Sequence, residues 1–204
     1  MAMAAALLLA ACGNDGGGEP VDDGGPPEVA SPLAECDELT APPDGESPPA
    51  AGGEPSPGGG TDQLPELTLP CFTGDEPVEL TALRGPAVVN LWASWCPPCR
   101  EELPALQRYA DLTTGQVHVV GVVSEDTRPR AASLAEDLAL DFPSLYDRGG
   151  DLLASLGLMN LPITLFIDDA GELVYLHLAR PYDAAELAEL VAEHLGVPPP
   201  EGLA

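Results

Sequence analysis

The stretch from Ala87 to Asp111 leaves this chain few folds to choose from. Ala87-Val88-Val89-Asn90-Leu91-Trp92 is a nearly unbroken apolar run, the pattern of a strand buried on both faces. Trp95-Cys96-Pro97-Pro98-Cys99 follows at once, and Cys96 to Asp111 then reads as a helix. Leu103, Leu106 and Ala110 share one face of that helix, and Pro104 inside it predicts a kink. Two cysteines separated by two residues at a helix start can close a disulfide. The first sulfur lies near unsatisfied N–H groups and the positive end of the helix dipole, and both favour the thiolate, which is the attacking species. The second lies one turn in, more buried, placed to resolve a mixed disulfide. Pro97 suits the first helical turn, where no N–H is needed. Cys96 is thus the expected nucleophile, exposed at the helix end, and Cys99 the resolving thiol.

The same spacing could supply half of a zinc site, but that needs two further ligands with comparable spacing. The chain holds no second Cys-x-x-Cys, and His118, His177 and His194 are scattered, so no metal is expected. A purely structural bridge gains more from closing a long loop than from spanning two residues.

Around this unit the chain reads as an α/β domain. Leu64 to Pro70 and Pro77 to Leu80 alternate about Gly74-Asp75, which predicts a small N-terminal hairpin extension. Val117 to Val123 is a second buried strand and Pro129 to Leu138 a helix with Pro in its first turn. Leu152 to Leu156 is a short helical piece. Ile163 to Ile167 and Leu173 to Leu178 are strands joined by a turn at Asp169-Ala170-Gly171, and Asp183 to Leu195 is an amphipathic helix. The order implies a mixed central sheet with helices on both faces and an antiparallel edge from the last hairpin.

Composition sets the surroundings. The chain has 34 acidic residues against 7 basic ones, every one of them Arg, for a net charge of −27. That excludes nucleic acid and anionic membrane surfaces as partners, since phosphate contacts need clustered Lys and Arg. Residues 13–61 hold 12 Gly and 10 Pro with no basic or aromatic residue, and are expected to be a disordered linker. Residues 62–196 have the composition and size of one compact domain, expected to be monomeric, and 197–204 read as a flexible tail. Residues 1–12 are too short to span a bilayer as a helix but fit the apolar part of a secretory signal. Their ending, Leu9-Ala10-Ala11-Cys12, resembles the lipobox of bacterial lipoproteins, which implies lipidation at Cys12; the pattern departs from it in having no Lys or Arg ahead of the apolar run. With Cys12 so used, four cysteines remain for an oxidising compartment. Cys96 and Cys99 pair by spacing, which leaves Cys36 and Cys71 either as a structural disulfide or as two unrelated thiols; the disulfide is the expectation. It would close a loop of about 36 residues, which the chain-entropy model values at roughly 4 kcal/mol.

Val88 to Pro104, with Trp95-Cys96-Pro97-Pro98-Cys99 at its centre, resembles the active-site region of the TlpA/ResA-like thiol–disulfide oxidoreductases, over about Thr61 to Leu195. The resemblance implies a thioredoxin-like fold, an extracytoplasmic protein held at the membrane, protein thiols and disulfides as substrates, and a membrane-bound donor or acceptor of electrons. It implies no cofactor beyond the redox-active pair Cys96–Cys99. In that family a cis-Pro faces the cysteine pair at the start of a core strand, and Leu161-Pro162-Ile163-Thr164-Leu165-Phe166-Ile167-Asp168 matches it. A cis bond at Pro162 would offer the Leu161 backbone to a substrate peptide. Thioredoxins carry a buried acid six residues before the first active cysteine; here that position is Asn90, as in the ResA-like branch. Glu102 matches a carboxylate that this branch places near its active site, and could equally be a solvated helix-face residue stabilised by the helix N-terminus.

The direction of electron flow follows from the loop. Pro97 and Pro98 have no N–H to give a Cys96 thiolate, leaving the Cys99 N–H as nearest donor, and a charged Glu102 would add repulsion. A poorly stabilised thiolate makes a more reducing couple. The expectation is a reductant of protein disulfides of the kind used in cytochrome c maturation. A disulfide-forming oxidant, a thiol peroxidase on the same fold, and a copper-carrying module are the alternatives. The peroxidase needs a lone cysteine and the copper module a three-residue spacing, and this chain has neither at this position.

Overall fold

The structure, a computed structural model, describes residues 30–43, 63–178 and 180–203. Its centre is β3 (Ala87–Trp92), whose six residues are all buried. β3 pairs in parallel with β4 (His118–Ser124), and β4 in parallel with β5 (Ser144–Asp147). On its other side β3 runs antiparallel to β6 (Ile163–Ile167), which runs antiparallel to β7 (Leu173–Leu178). The sheet order is therefore β5-β4-β3-β6-β7, and a separate antiparallel hairpin joins β1 (Thr68–Pro70) to β2 (Pro77–Glu79).

Alternation along the strands sorts the core into two layers. Val88 and Trp92, Val119 and Val123, and Phe166 face α1 (Pro97–Leu112), α2 (Arg128–Asp137) and α4 (Ala184–Leu195), with Leu103, Leu106, Leu134, Leu187 and Val191 among the helix residues packed there. Val89, Leu91, Val120, Val122, Ile163 and Leu165 face the opposite layer. It holds α3 (Asp151–Ser155), Leu69 and Val78 of the hairpin, and Cys36 and Leu39. Gly121 leaves no room for a side chain: a Cβ there would run into Ser144 Oγ and Trp92 Nε1. Pro104 lies inside α1 without ending it, and Asp183 caps α4 by accepting from Glu186 N at 2.9 Å.

Three features differ from the sequence expectation. β5 was not expected, because Ser144 and Asp147 break any apolar pattern. Both are nonetheless buried, and Asp147 is satisfied by accepting from Ser124 Oγ and from the N–H groups of Asp151 and Leu152 at the head of α3. Within the stretch read as linker, residues 30–43 pack on the domain as a strap. Leu33, Cys36 and Leu39 recur every third residue and are all buried, a signal that averaging over a Gly/Pro-rich stretch hides. In the stretch read as a tail, Val197 and Leu203 pack on the helical layer, and the Gly202 carbonyl accepts from Arg108 at 2.7 Å. Residues 1–29, with Cys12, and 44–62 lie outside the described residues.

A disulfide joins Cys36 to Cys71 across 35 residues of chain. Cys71 bridges to Leu145 on the free edge of β5, so the bond fastens strap, hairpin and sheet edge together. Replacing both cysteines by Ser should lower the urea midpoint of unfolding and steepen the slope, since the unfolded chain is released from its cross-link, with a loss of about 3–4 kcal/mol. A loss below about 1 kcal/mol would mean that apolar packing alone holds the strap.

Candidate active site

β3 delivers the chain to the site and α1 begins there. Cys96 is the N-cap of α1, extended at φ −90° and ψ 107°, and its sulfur accepts a hydrogen bond from the Cys99 N–H at 3.2 Å. Cys96 and Cys99 form a disulfide. The expected exposed nucleophile is not exposed in this oxidised state: Cys96 retains 2% of its surface and Cys99 none. The order of access still favours attack at Cys96. Pro97 and Trp95 stand proud of the pair, with Trp95 52% exposed.

The loop after β4 holds this turn in place. Ser94 N donates to Asp126 Oδ2 at 2.6 Å and Trp95 Nε1 donates to the Glu125 carbonyl at 3.0 Å. Glu125 adopts the left-handed conformation (φ 53°), and Asp126 is pinned in turn by Thr127 N on its carboxylate and Tyr146 OH on its carbonyl. Neither residue was singled out from sequence; their only signal is a position just past the end of a strand parallel to β3. From the other side, β6 starts where β3 ends, since Leu91 pairs with Ile163. The Leu161–Pro162 bond is cis, with Pro162 buried, Leu161 half-buried and Met159 of the same loop 87% exposed.

Beneath the disulfide lies a cluster of polar side chains. Glu102, one turn along α1 from Cys99, is fully buried, so the solvated reading of this residue does not hold. Asn90 Nδ2 donates to Glu102 Oε1 at 2.7 Å and to Thr164 Oγ1 at 3.0 Å, and lies 3.4 Å from Tyr182 OH. The Thr164 and Tyr182 hydroxyls are 3.1 Å apart. Asn90 and Thr164 are paired residues of β3 and β6, which explains their meeting; Thr164 and Tyr182 had no sequence signal beyond lying in or after the matched strand. Burial pushes Glu102 up to about 8, the Asn90 hydrogen bond acting in the opposite direction. Burial, then the nearby Glu102, push Tyr182 well above the usual phenol range, so it stays neutral. At neutral pH Glu102 is therefore mostly a neutral acid, and the repulsion expected between its charge and a Cys96 thiolate is absent there.

Such a site can exchange two electrons and two protons through the sulfur pair. Its three histidines do not converge: His118 Nε2 meets the Ala41 carbonyl, His177 Nε2 the Arg180 carbonyl, and His194 stacks on Tyr175. Among the described residues no group of three or more His, Cys, Asp or Glu is placed to hold a metal, and no helix is long and apolar enough to cross a membrane.

A mixed sheet of this order, with a Cys-Pro-Pro-Cys disulfide at the head of the first long helix and a cis-Pro opening the facing strand, defines a thioredoxin-like domain. The chain belongs to the AhpC/TSA family, whose profile matches residues 61–176. It is 30% identical to the thiol-disulfide oxidoreductase ResA of Halalkalibacterium halodurans over 104 residues, covering 50% of this chain and 59% of that one. It is 37% identical to the thiol:disulfide interchange protein DsbE of Escherichia coli K12 over 93 residues, 45% of this chain and 49% of that one. Its fold matches a secreted thiol-disulfide isomerase from Corynebacterium glutamicum with TM-score 0.53 and 27% identity, over 62% of this chain and 81% of the other. The chain thus spans between about half and three fifths of the two sequence relatives.

The buried acid leaves a mark on stability. Folded, Glu102 keeps its proton up to about pH 8; unfolded, it loses it near 4.5. The folded state binds more protons across that window, so this contribution is fully present below 4.5, falls as pH rises, and is gone above about 8. Its size is on the order of a few kcal/mol. Urea unfolding of the oxidised protein from pH 5 to pH 9 should show the wild type losing that amount relative to Glu102→Gln. Parallel curves would mean that the folded chain holds Glu102 as an anion.

Proposed function

We propose that this chain is a thiol–disulfide oxidoreductase that reduces disulfides in proteins outside the cytoplasm. The observation that carries this reading is the sulfur pair at the α1 N-terminus, in which the Cys99 N–H is the donor that reaches Cys96. In the reduced enzyme the Cys96 thiolate attacks one sulfur of a substrate disulfide. The substrate S–S bond breaks, a Cys96–substrate bond forms, and the released substrate sulfur takes a proton. Cys99 then gives up its proton and attacks Cys96, freeing the second substrate thiol and leaving the enzyme disulfide. Glu102 has a proton affinity close to that of an ordinary thiol and stands one helical turn from Cys99. It is therefore suited to take the Cys99 proton. The Leu161 backbone beside cis-Pro162 receives the substrate strand, with Trp95 and Met159 as its apolar contacts.

The direction of flow rests on Pro97 and Pro98, which withhold N–H groups from the thiolate and so favour the oxidised pair. We assign the enzyme the reduction of protein disulfides such as those handled in cytochrome c maturation, with a membrane-bound partner resupplying electrons. No metal or organic cofactor takes part, the sulfur pair being the redox group, and the domain acts as a monomer. The structural disulfide and the secreted relative support a place outside the cytoplasm. There the protein is held by lipid on Cys12 through a linker.

In Cys99→Ser, mixed disulfides should accumulate through Cys96, whereas Cys96→Ser should trap nothing. Equilibrated in glutathione buffer at the potential of thioredoxin, about −270 mV, the wild type should remain substantially oxidised. Almost complete reduction there would identify a disulfide-forming oxidant instead, and peroxide-dependent turnover by Cys99→Ser would identify a peroxidase.

The anchor has its own test. Cys12→Ala should move the protein from the membrane fraction to the soluble one. Unchanged membrane retention would refute lipid attachment at that residue.

A further inference from the structure

Arg128 opens α2, and the helix itself gives no reason for a cation there. Its first turn reads Arg128-Pro129-Arg130 with no acidic residue, whereas a helix N-terminus favours negative charge. The guanidinium is turned to the hairpin instead. Nη1 donates to the Phe72 carbonyl, and Nη2 donates to the Cys71 carbonyl at 3.4 Å and to the Asp75 carboxylate. It also lies over two rings, 5.1 Å from the centre of Phe72 and 4.5 Å from that of Tyr146. The Tyr146 hydroxyl, on β5, donates to the Asp126 carbonyl at 3.1 Å. One cation thus joins the hairpin, the head of α2 and the residue that grips Asp126, two positions before it in the chain.

We propose that Arg128 is a positioning residue for Trp95: together with Tyr146 it brackets Glu125-Asp126 and so fixes the carbonyl that holds the indole beside the disulfide. Trp95 donates from Nε1 to the Glu125 carbonyl at 3.0 Å while 52% of the residue is exposed, so the direction of the indole follows where that carbonyl stands. Glu125 is left-handed at φ 53°, a conformation that costs a residue with a side chain and lasts only where its neighbours hold it. On the β5 side those neighbours are Tyr146 and the Asp147 carbonyl, which accepts from Glu125 N at 3.0 Å. On the α2 side the chain runs through Thr127 to Arg128, whose planar fork fastens the helix head to the hairpin carbonyls. Without that fork the Tyr146 ring loses the cation over it and the head of α2 loses its fastening. The loop keeps its bonds to Ser94 and Asp147 but moves more widely, and the indole moves with it. A wandering indole must be ordered when a substrate binds, which weakens binding and leaves the sulfur chemistry as it was. The step to substrate rests on the reading in which Trp95 touches it; the positioning of the indole does not.

The test reads the indole directly. The oxidised full-length protein is labelled with nitrogen-15 at Trp and followed by NMR, with Trp95→Phe assigning the Trp95 resonance. Arg128→Gln and Tyr146→Phe should each speed hydrogen exchange at Trp95 Nε1 about three- to tenfold, the size that one hydrogen bond carries. Val191→Ala, which opens a cavity under α4 and weakens the fold elsewhere, should leave that rate unchanged. Where Arg128→Gln does not fold, Arg128→Lys takes its place, since Lys keeps the charge and lacks the fork. Reduced, the Arg128 and Tyr146 variants should react about three- to tenfold more slowly than wild type with a peptide disulfide flanked by apolar residues, and at the wild-type rate with the small neutral hydroxyethyl disulfide. In a Trp95→Phe background the Arg128 substitution should slow the peptide reaction no further. Indole exchange unmoved by the Arg128 substitution or by Tyr146→Phe, or moved equally by Val191→Ala, overturns the proposal. Faster indole exchange with an unchanged peptide rate supports the positioning and counts against Trp95 as a substrate contact.

Discussion

A strand buried on both faces cannot carry a polar side chain at its centre unless partners are brought to it. Asn90 is that side chain in β3, and the organisation of the site follows from supplying it. The antiparallel pairing of β3 with β6 brings Thr164 alongside. Tyr182 arrives from the segment that closes β7 onto α4, and Glu102 descends from α1. Three elements are thus tied to one amide, and the helix among them is the one whose first turn carries Cys96 and Cys99. Any change in how α1 sits on the sheet is felt at Glu102, and any change at Glu102 lies one turn from the resolving sulfur.

The two halves of the site have opposite electrostatic characters. At the mouth, the helix N-terminus favours negative charge on Cys96, but two prolines leave little more than the Cys99 N–H to express it. Beneath, an acid is held uncharged by burial and released partway by one donor. Thiol exchange needs a proton to leave Cys99 when that thiol becomes the attacking group. A carboxyl with its usual affinity would be a weak base for a thiol. One shifted toward the thiol range exchanges the proton at little cost.

What could be read from residue order was whatever apolar pattern imposes. Ala87–Trp92, Ile163–Ile167 and Leu173–Leu178 occupy the positions read for them, because each is a run with no competing interpretation. The helix starts at Pro97 and Ala184 lie within one residue of those read, the first from the proline suited to a first turn and the second from apolar spacing. β5 was not legible, since Ser144 and Asp147 become strand residues only when Asp147 caps α3. Glu102 was ambiguous for a related reason: a carboxylate in the first turns of a helix is usually solvated, and its burial depends on Asn90, twelve residues earlier, and Tyr182, eighty later. Asp126, which clamps Ser94, gave no sign because its role is set by the separation of adjacent strand ends. Local chemistry was written in the Cys pair; the network that tunes it is tertiary.

The strap ties the starts of β3 and β4 to the free edge of the sheet at β5. Its hydrogen bonds go to Arg84 N, just before β3; to His118, the first residue of β4; to the Asp141 carbonyl, just before β5; and to Thr73 in the adjoining hairpin. β3, β4 and β5 run parallel, with Ala87 opposite His118 but Ser144 opposite Gly121, so β5 starts halfway along β4. The Cys96–Cys99 pair and the clamp at Glu125-Asp126 lie past the last residues of β3 and β4. Cys71 stands opposite Leu145, which pairs with Val122 and so lies level with Leu91; the buried Cys36–Cys71 bond fastens the chain at the side edge of the sheet, two strands out from β3. The hairpin carries that fastening on to the head of α2, where Arg128, two residues past Asp126 of the clamp, donates to the Phe72 carbonyl.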